Sequence, residues 1–448
     1  MKQYCLLTAL SIIVFSPPGH TASTDTVSQS FEYFAPINGL VLEKGVVTFA
    51  TAQDCAELPT CYGNNPTSPY GVPQFKYAGN TSSPNNSGYW QLTRDEAVVL
   101  IVETPPETAY FGYTHYVHDR YYPSKGARLT TFASLGDTIN NLTIRHNNQF
   151  MSSFEKLTAV VMTASLETYG KVATALSSSG LKPERINVQV IPYGKVIMGN
   201  SATADAFRIL ARIAKPTDQV SMEDYIANPP IAAYKATAVN STFTSITPPA
   251  LRPKGTGTNE NGLFSLLSSL ESAIKARFSP MSAVPIAVTP SAMNPDGCLE
   301  SGLNCNGDNR DALYEVAVPG VLDPSKSDFV IVYGVNHTAT KKATYTNFSI
   351  YDLNRLAGVS SVIDDEYADS GKYYLGAGYP GADKVYAYKV ARFCYGEPFC
   401  IEIPFEGALS IPADQPIMIA LRSYLEAATK TGPLGSELLR ARAIRFRD

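Results

Sequence analysis

Beyond residue 24 this 448-residue chain carries four histidines, His115, His118, His146 and His337, and His337 stands where a proton-transfer group would be useful. It follows the apolar run Phe329 to Val335 in Asn336-His337-Thr338, so a rigid strand would deliver an imidazole to a loop. An imidazole titrates near neutral pH and suits general acid or base work. The competing reading is a turn histidine bonded to its own backbone, in a segment that is also a glycosylation sequon. Partners come from the densest polar stretch, Asn294 to Asp311, where Asp308 or Asp311 could steady the His337 ring and Arg310 could clamp an anion through its two-pronged guanidinium. Arg310 is equally suited to an ion pair with either aspartate.

The same stretch supplies a calcium candidate, Asp296, Asp308 and Asp311, because hard carboxylate oxygens on a rigid loop are what Ca²⁺ requires. It departs from the EF-hand pattern in lacking a terminal glutamate, and turn-forming Asx residues around a disulfide are the plainer account. No other cofactor is implied. His115 and His118 fall on opposite faces if their segment is a strand, which argues against a shared metal. His118 then shares a face with Tyr110, Thr114 and Tyr116, either an aromatic cleft wall with a second catalytic candidate or a half-buried sheet face.

Three motifs are set aside. Ser201 lacks the second glycine of a nucleophile elbow and sits where a helix cap is needed. Gly136-Asp137-Thr138 has threonine where a secreted esterase of the Gly-Asp-Ser type would have its nucleophile. Lys254-Gly255-Thr256-Gly257-Thr258 follows prolines rather than a strand and reads as linker.

Six of the seven cysteines form close pairs, Cys55/Cys61, Cys298/Cys305 and Cys394/Cys400, as expected of short disulfides in an oxidising compartment. The seventh, Cys5, lies in an apolar run, Cys5 to Phe15, that has the length of a signal-peptide core, and Thr21-Ala22-Ser23 offers a cleavage site. Residues 1–23 are therefore expected to be a signal peptide and the protein to be secreted or periplasmic. No later run is long and apolar enough for a membrane span. Sequons stand at Asn80, Asn85, Asn141, Asn240, Asn336 and Asn347. A net charge of −4 and 17% charged residues argue against a nucleic-acid partner.

These groups need a scaffold. Gly39 to Ala50 reads as two short strands around Glu43-Lys44-Gly45, and Ala97 to Val102 with Tyr110 to Asp119 reads as a hairpin. Leu157 to Thr163, Ser165 to Ser179 and Ile186 to Ile191 form a β-α-β unit, with Gly180 as the helix stop. Thr203 to Ile213 and Leu263 to Phe278 read as amphipathic helices. The segment 97–119 is echoed at 329–352: an apolar strand, a polar turn and a Tyr/Thr-rich strand. The basic run Arg440 to Arg447 is expected as an edge strand or solvated tail. The expected class is α+β, with hairpin-rich, largely antiparallel sheets and packed helices in two lobes, 24–235 and 263–448, joined by a Pro/Thr/Gly-rich linker at 236–262.

The functional expectation is an extracytoplasmic hydrolase or lyase centred on His337, its small-molecule or polymer substrate unspecified. The alternative is a non-catalytic secreted binding protein with a tyrosine-rich contact surface, 27 tyrosines being present.

Overall fold

The computed structural model describes residues 23–55, 58–76, 86–146, 151–291, 293–325 and 327–448. It is a mixed α and β molecule in which strands outweigh helices. The expected α+β class with largely antiparallel sheets holds at that level. The signal-peptide segment and the sequons at Asn80 and Asn85 lie outside the described residues.

One large sheet uses residues 40–238. Its path runs Ala127–Ser134, Thr108–Tyr122, Ala206–Pro216, Tyr70–Lys76, Leu40–Ala50, Ile231–Ala238, Glu96–Glu103, Leu157–Thr163, Ile186–Val190. The sheet curls on itself, so that Val98, Leu100 and Val102 from one end pack with Phe111, Ile209 and Ile213 from the other. The corner is in Leu40–Ala50, whose first half pairs with Ile231–Ala238 and whose second half pairs with Tyr70–Lys76. Gly45 stands at the change of partner: a Cβ there would lie 2.5 Å from the Phe75 ring, so only glycine lets the strands approach. The two expected strands are thus one bent strand.

Helices Thr24–Ile37 and Leu166–Ser178 cover the outside of this sheet, burying Val27, Phe31, Val172 and Leu176 against Val99, Ile101 and Val161. The second follows its sequence signals. The Ser165 hydroxyl accepts from the Thr168 N–H at 3.1 Å, and Gly180 takes the left-handed conformation at φ +91° that ends it. The flanking strands Leu157–Thr163 and Ile186–Val190 pair in parallel, as a β-α-β unit requires. The first helix was not expected, although Ser23 caps it and Val27, Phe31 and Ala35 repeat every four residues.

The remaining chain builds two five-stranded sheets. One is ordered Ser282–Ile286, Arg442–Arg447, Phe329–Val335, Val385–Ala391, Cys400–Glu402; the other Val288–Pro290, Ala312–Gly320, Ile417–Tyr424, Tyr345–Asp352, Ala357–Ile363. They pack face to face around Val330, Val332, Phe348, Ile350 and Ile419. Helix Phe264–Arg277, close to its expected bounds, seats Leu267, Leu270 and Ile274 on the outer face of the first.

Several expectations are corrected here. Glu96–Glu103 and Thr108–Tyr122 do not pair with each other, nor do Phe329–Val335 and Tyr345–Asp352. Each pair is an arch whose strands cross a hydrophobic core, because both apolar faces find better partners in other strands than in their neighbours. The 97–119 and 329–352 segments therefore share arch topology rather than hairpin topology. Thr203 to Ile213 is not a helix. Its apolar residues fit both periods, and the strand Ala206–Pro216 wins by pairing along its length with Thr108–Tyr122. Arg442–Arg447 is no edge, since it lies between Ser282–Ile286 and Phe329–Val335. The expected linker is part strand, because Ile231–Ala238 runs into it within the large sheet.

The three cysteine pairs stand at disulfide distance, with Cα separations of 5.7, 6.0 and 5.7 Å, which fits an extracytoplasmic protein. No described helix is long and apolar enough to cross a membrane.

Candidate functional site

Two sheets turn their second faces toward each other and leave between them a pocket of about 280 Å³. Along Ala206–Pro216, Ile209, Ala211 and Ile213 point into the large sheet's own core while Arg208, Leu210 and Arg212 line the cavity. Ile417–Tyr424 does the same from the opposite side: Ile417, Ile419 and Leu421 enter the sandwich, and Met418, Ala420, Arg422 and Tyr424 face the cavity. This is the period-two alternation of strands, used on both walls. Tyr62, Tyr70, Tyr314 and Tyr351 add rings, and Cys55, Cys61 and Cys305 put two of the disulfides on its border.

The electrostatics of this cavity are lopsided. Arg212 donates to the Tyr116 hydroxyl and to the Gly307 carbonyl, and Arg422 donates to the Gly63 carbonyl at 2.6 Å. Arg208 lies 5.4 Å from the centroid of the Phe132 ring, and its buried Nε has no hydrogen-bond partner. Burial, opposed in part by the phenol of Tyr62, pushes its guanidinium down to about 10. Among the described residues none of the three arginines forms an ion pair. Asp308 is the one carboxylate among the described residues on the wall, and both its oxygens are engaged, by the Ser134 N–H at 2.8 Å and the Ser134 hydroxyl at 2.6 Å. Burial raises Asp308 to about 6, against the lowering effect of those two bonds.

A larger cleft of about 830 Å³ adjoins it, sharing Ser291, Met293, Asp308 and Tyr314 with the cavity. There Arg310 Nε donates to Asp137 at 2.7 Å, and the Arg252 N–H donates to the same carboxylate at 2.6 Å. Lys254 lines this cleft too, and burial together with the Arg310 charge lowers its pKa.

His337 is elsewhere. Its Nδ1 lies 2.8 Å from Glu260 Oε1, not beside Asp308 or Asp311, and it is buried next to a void of only about 10 Å³. Glu260 comes from the segment expected as linker. Burial alone would raise its pKa, but the bonds from His337, Thr340 and the Leu439 N–H outweigh that and leave it lowered. Asp308, Arg310 and Asp311 each have a separate partner and none meets His337: Asp311 accepts from Asn140 at 2.8 Å and Tyr110 at 3.3 Å, and burial lifts it to about 7. His118 is buried, stacked on Tyr89 at 4.4 Å with Nδ1 3.3 Å from Asp119. Burial lowers its pKa despite that contact.

The calcium candidate is not assembled, because Asp296 turns outward to Lys195 at 2.8 Å while Asp308 and Asp311 are committed as above. Among the described residues no three His, Cys, Asp or Glu side chains converge. The sequon at Asn347 is fully buried and bonded to Asn65, so a glycan there is incompatible with this fold.

Sequence reasoning missed Arg208, Arg212, Arg422 and Glu260, and set aside the segments holding Asp137 and Lys254. The one available signal was Arg208-x-x-x-Arg212 within an apolar run, which puts two cations on one face at either period.

No family model and no curated protein matches the chain. Among solved structures it is similar to an uncharacterized protein from Burkholderia cenocepacia, with TM-score 0.39 and 11% identity over 94% of this chain and 87% of that one. It is also similar to the VPA0106 protein from Vibrio parahaemolyticus, with TM-score 0.39 and 10% identity over 95% of this chain and 98% of that one.

Proposed function

We propose that this is an exported binding protein that takes a small molecule into the cavity between its sheets. The observation that carries the reading is a concave space of about 280 Å³ lined by tyrosine rings and buried guanidinium groups, from strands whose other faces already complete separate cores. That volume is near the lower end of ligand sites. Converging rings with a few directed polar groups are the usual make-up of such sites. Filling the space tests it: Ala420→Trp should abolish the thermal stabilisation given by any ligand found in a small-molecule screen. Unchanged stabilisation would place the ligand elsewhere.

An extracytoplasmic hydrolase or lyase is the second reading, moved from His337 to the adjoining cleft. It is favoured by Lys254, a lysine of lowered pKa with no hydrogen-bond partner among the described residues, near Asp308 and Arg310. A base of this kind should be acylated by an activated ester near pH 8 faster than the protein's other lysines. Peptide mass mapping that finds no preference removes this reading.

A further inference from the structure

Resting on the binding reading, we infer that the cavity's occupant is a small organic anion: a carboxylate, received by Arg208, on an apolar body of about one ring. The charge argument comes first. Burying a guanidinium without a carboxylate costs several kcal/mol in general, so proteins rarely leave one unpaired. Here three buried or half-buried guanidinium groups face one space, and the one carboxylate among the described residues on its wall, Asp308, can balance at most one of them and has both oxygens bonded to Ser134. Arg212 and Arg422 spend donors on carbonyl and phenol oxygens. Arg208 spends none on any described residue, so its planar fork is free to grip an oxyanion through two parallel bonds.

Size and polarity narrow the class. The cavity's own volume of about 280 Å³ suits a body of about one ring better than a nucleotide or an oligosaccharide. Leu210, Val316, Leu356, Met418 and Ala420 share the wall, and an inorganic anion would leave that apolar surface uncovered. A carboxylate on a phenyl or short alkyl body satisfies both ends.

The test is calorimetric titration of the full chain with phenylacetate, 3-phenylpropionate and hexanoate, each beside its neutral amide, and with inorganic phosphate. The expected result is at least a tenfold preference for an acid over its amide, lost in Arg208→Met and partly restored in Arg208→Lys, with unchanged circular dichroism in both variants. Acid and amide binding alike would overturn the anion assignment while leaving the binding reading intact. Phosphate binding better than every acid would overturn the apolar body. Absence of heat with every compound would overturn both.

Discussion

Lys342 and Arg208 are both cations set inside the molecule, and their surroundings differ completely. The Lys342 ammonium meets Glu426 and Glu437 at 2.6 Å each and Thr256 at 2.9 Å, three partners for three donors. Arg445, on the last strand, is likewise gripped by Asp328 through two bonds, at 2.7 and 2.6 Å. Arg208, Arg212 and Arg422 have no such carboxylate among the described residues. Around Lys342 and Arg445 the chain supplies the counter-charge, whereas Arg392, buried outside the cavity wall, donates to the Ile411 and Pro412 carbonyls instead. What sets Arg208 apart is that it hydrogen-bonds no described residue and faces a cavity, which points to a counter-charge that arrives from outside. The difference separates two uses of the same physics: a paired ion holds strands together, and an unpaired one holds a place open.

The largest expected effect breaks the paired side of that contrast. Lys342→Met leaves Glu426 and Glu437 buried without their cation and should cost about 3–5 kcal/mol, read as a lower denaturant midpoint at unchanged m-value. If it costs less than about 1 kcal/mol, the Lys342 cluster is as dispensable as a surface pair and the contrast with Arg208 loses its meaning. Next is the disulfide Cys298–Cys305, whose second cysteine borders the cavity. Replacing both by serine should cost about 2 kcal/mol and weaken ligand binding as well. Replacing Cys394 and Cys400, which lie on neither cavity wall, should cost a similar amount and leave binding unchanged.

Acid should separate the two regions by sign. The Lys342 ammonium, helped by the Thr256 and Gly257 N–H groups, draws Glu437 down to about 2, below its ordinary 4.5. That stabilisation is complete above pH 4.5 and is lost as the pH falls toward 2. Asp308 moves the other way, raised by burial from 3.8 to about 6, so the folded protein holds a proton that the unfolded chain releases. Its contribution to stability therefore declines as the pH rises from about 4 to 6, by an amount on the order of 1–2 kcal/mol. Denaturation midpoints of Asp308→Asn against pH should show this slope flattened between pH 4 and 6. An unchanged slope would mean that Asp308 titrates normally and that burial does not raise it.

How far the sequence could be followed depends on the range over which each feature is decided. Cys298 and Cys305 are close enough along the chain to announce their pairing, and Ser165 with Gly180 marks both ends of a helix through bonds within a few residues. Arg208 and Arg212 are different. Their apolar neighbours suit a helix and a strand equally, and the choice is made by Thr108–Tyr122 roughly a hundred positions earlier. The opposite wall, with Arg422, comes from beyond residue 400. Nothing local tells three arginines that they share a space. His337 shows the same limit: its strand and its burial after Val335 are local matters, yet its carboxylate partner, Glu260, lies 77 residues away in a segment with linker composition.

The smallest effect bears most directly on the contrast. Arg208→Met keeps an unbranched apolar stem and removes a charge that no described carboxylate balances. In ligand-free protein it should leave stability unchanged or raise it by about 1 kcal/mol, since replacing a desolvated, unpaired cation with a well-packed apolar group removes a cost without breaking a bond. That is the reverse of Lys342→Met, although both changes delete a buried positive charge. The same variant should lose the extra stabilisation that an anionic ligand confers on the native protein. Denaturation with and without ligand measures both quantities in one experiment. A loss of 2 kcal/mol or more without ligand would show that Arg208 supports the fold itself, and the cavity beside it would no longer call for an anion.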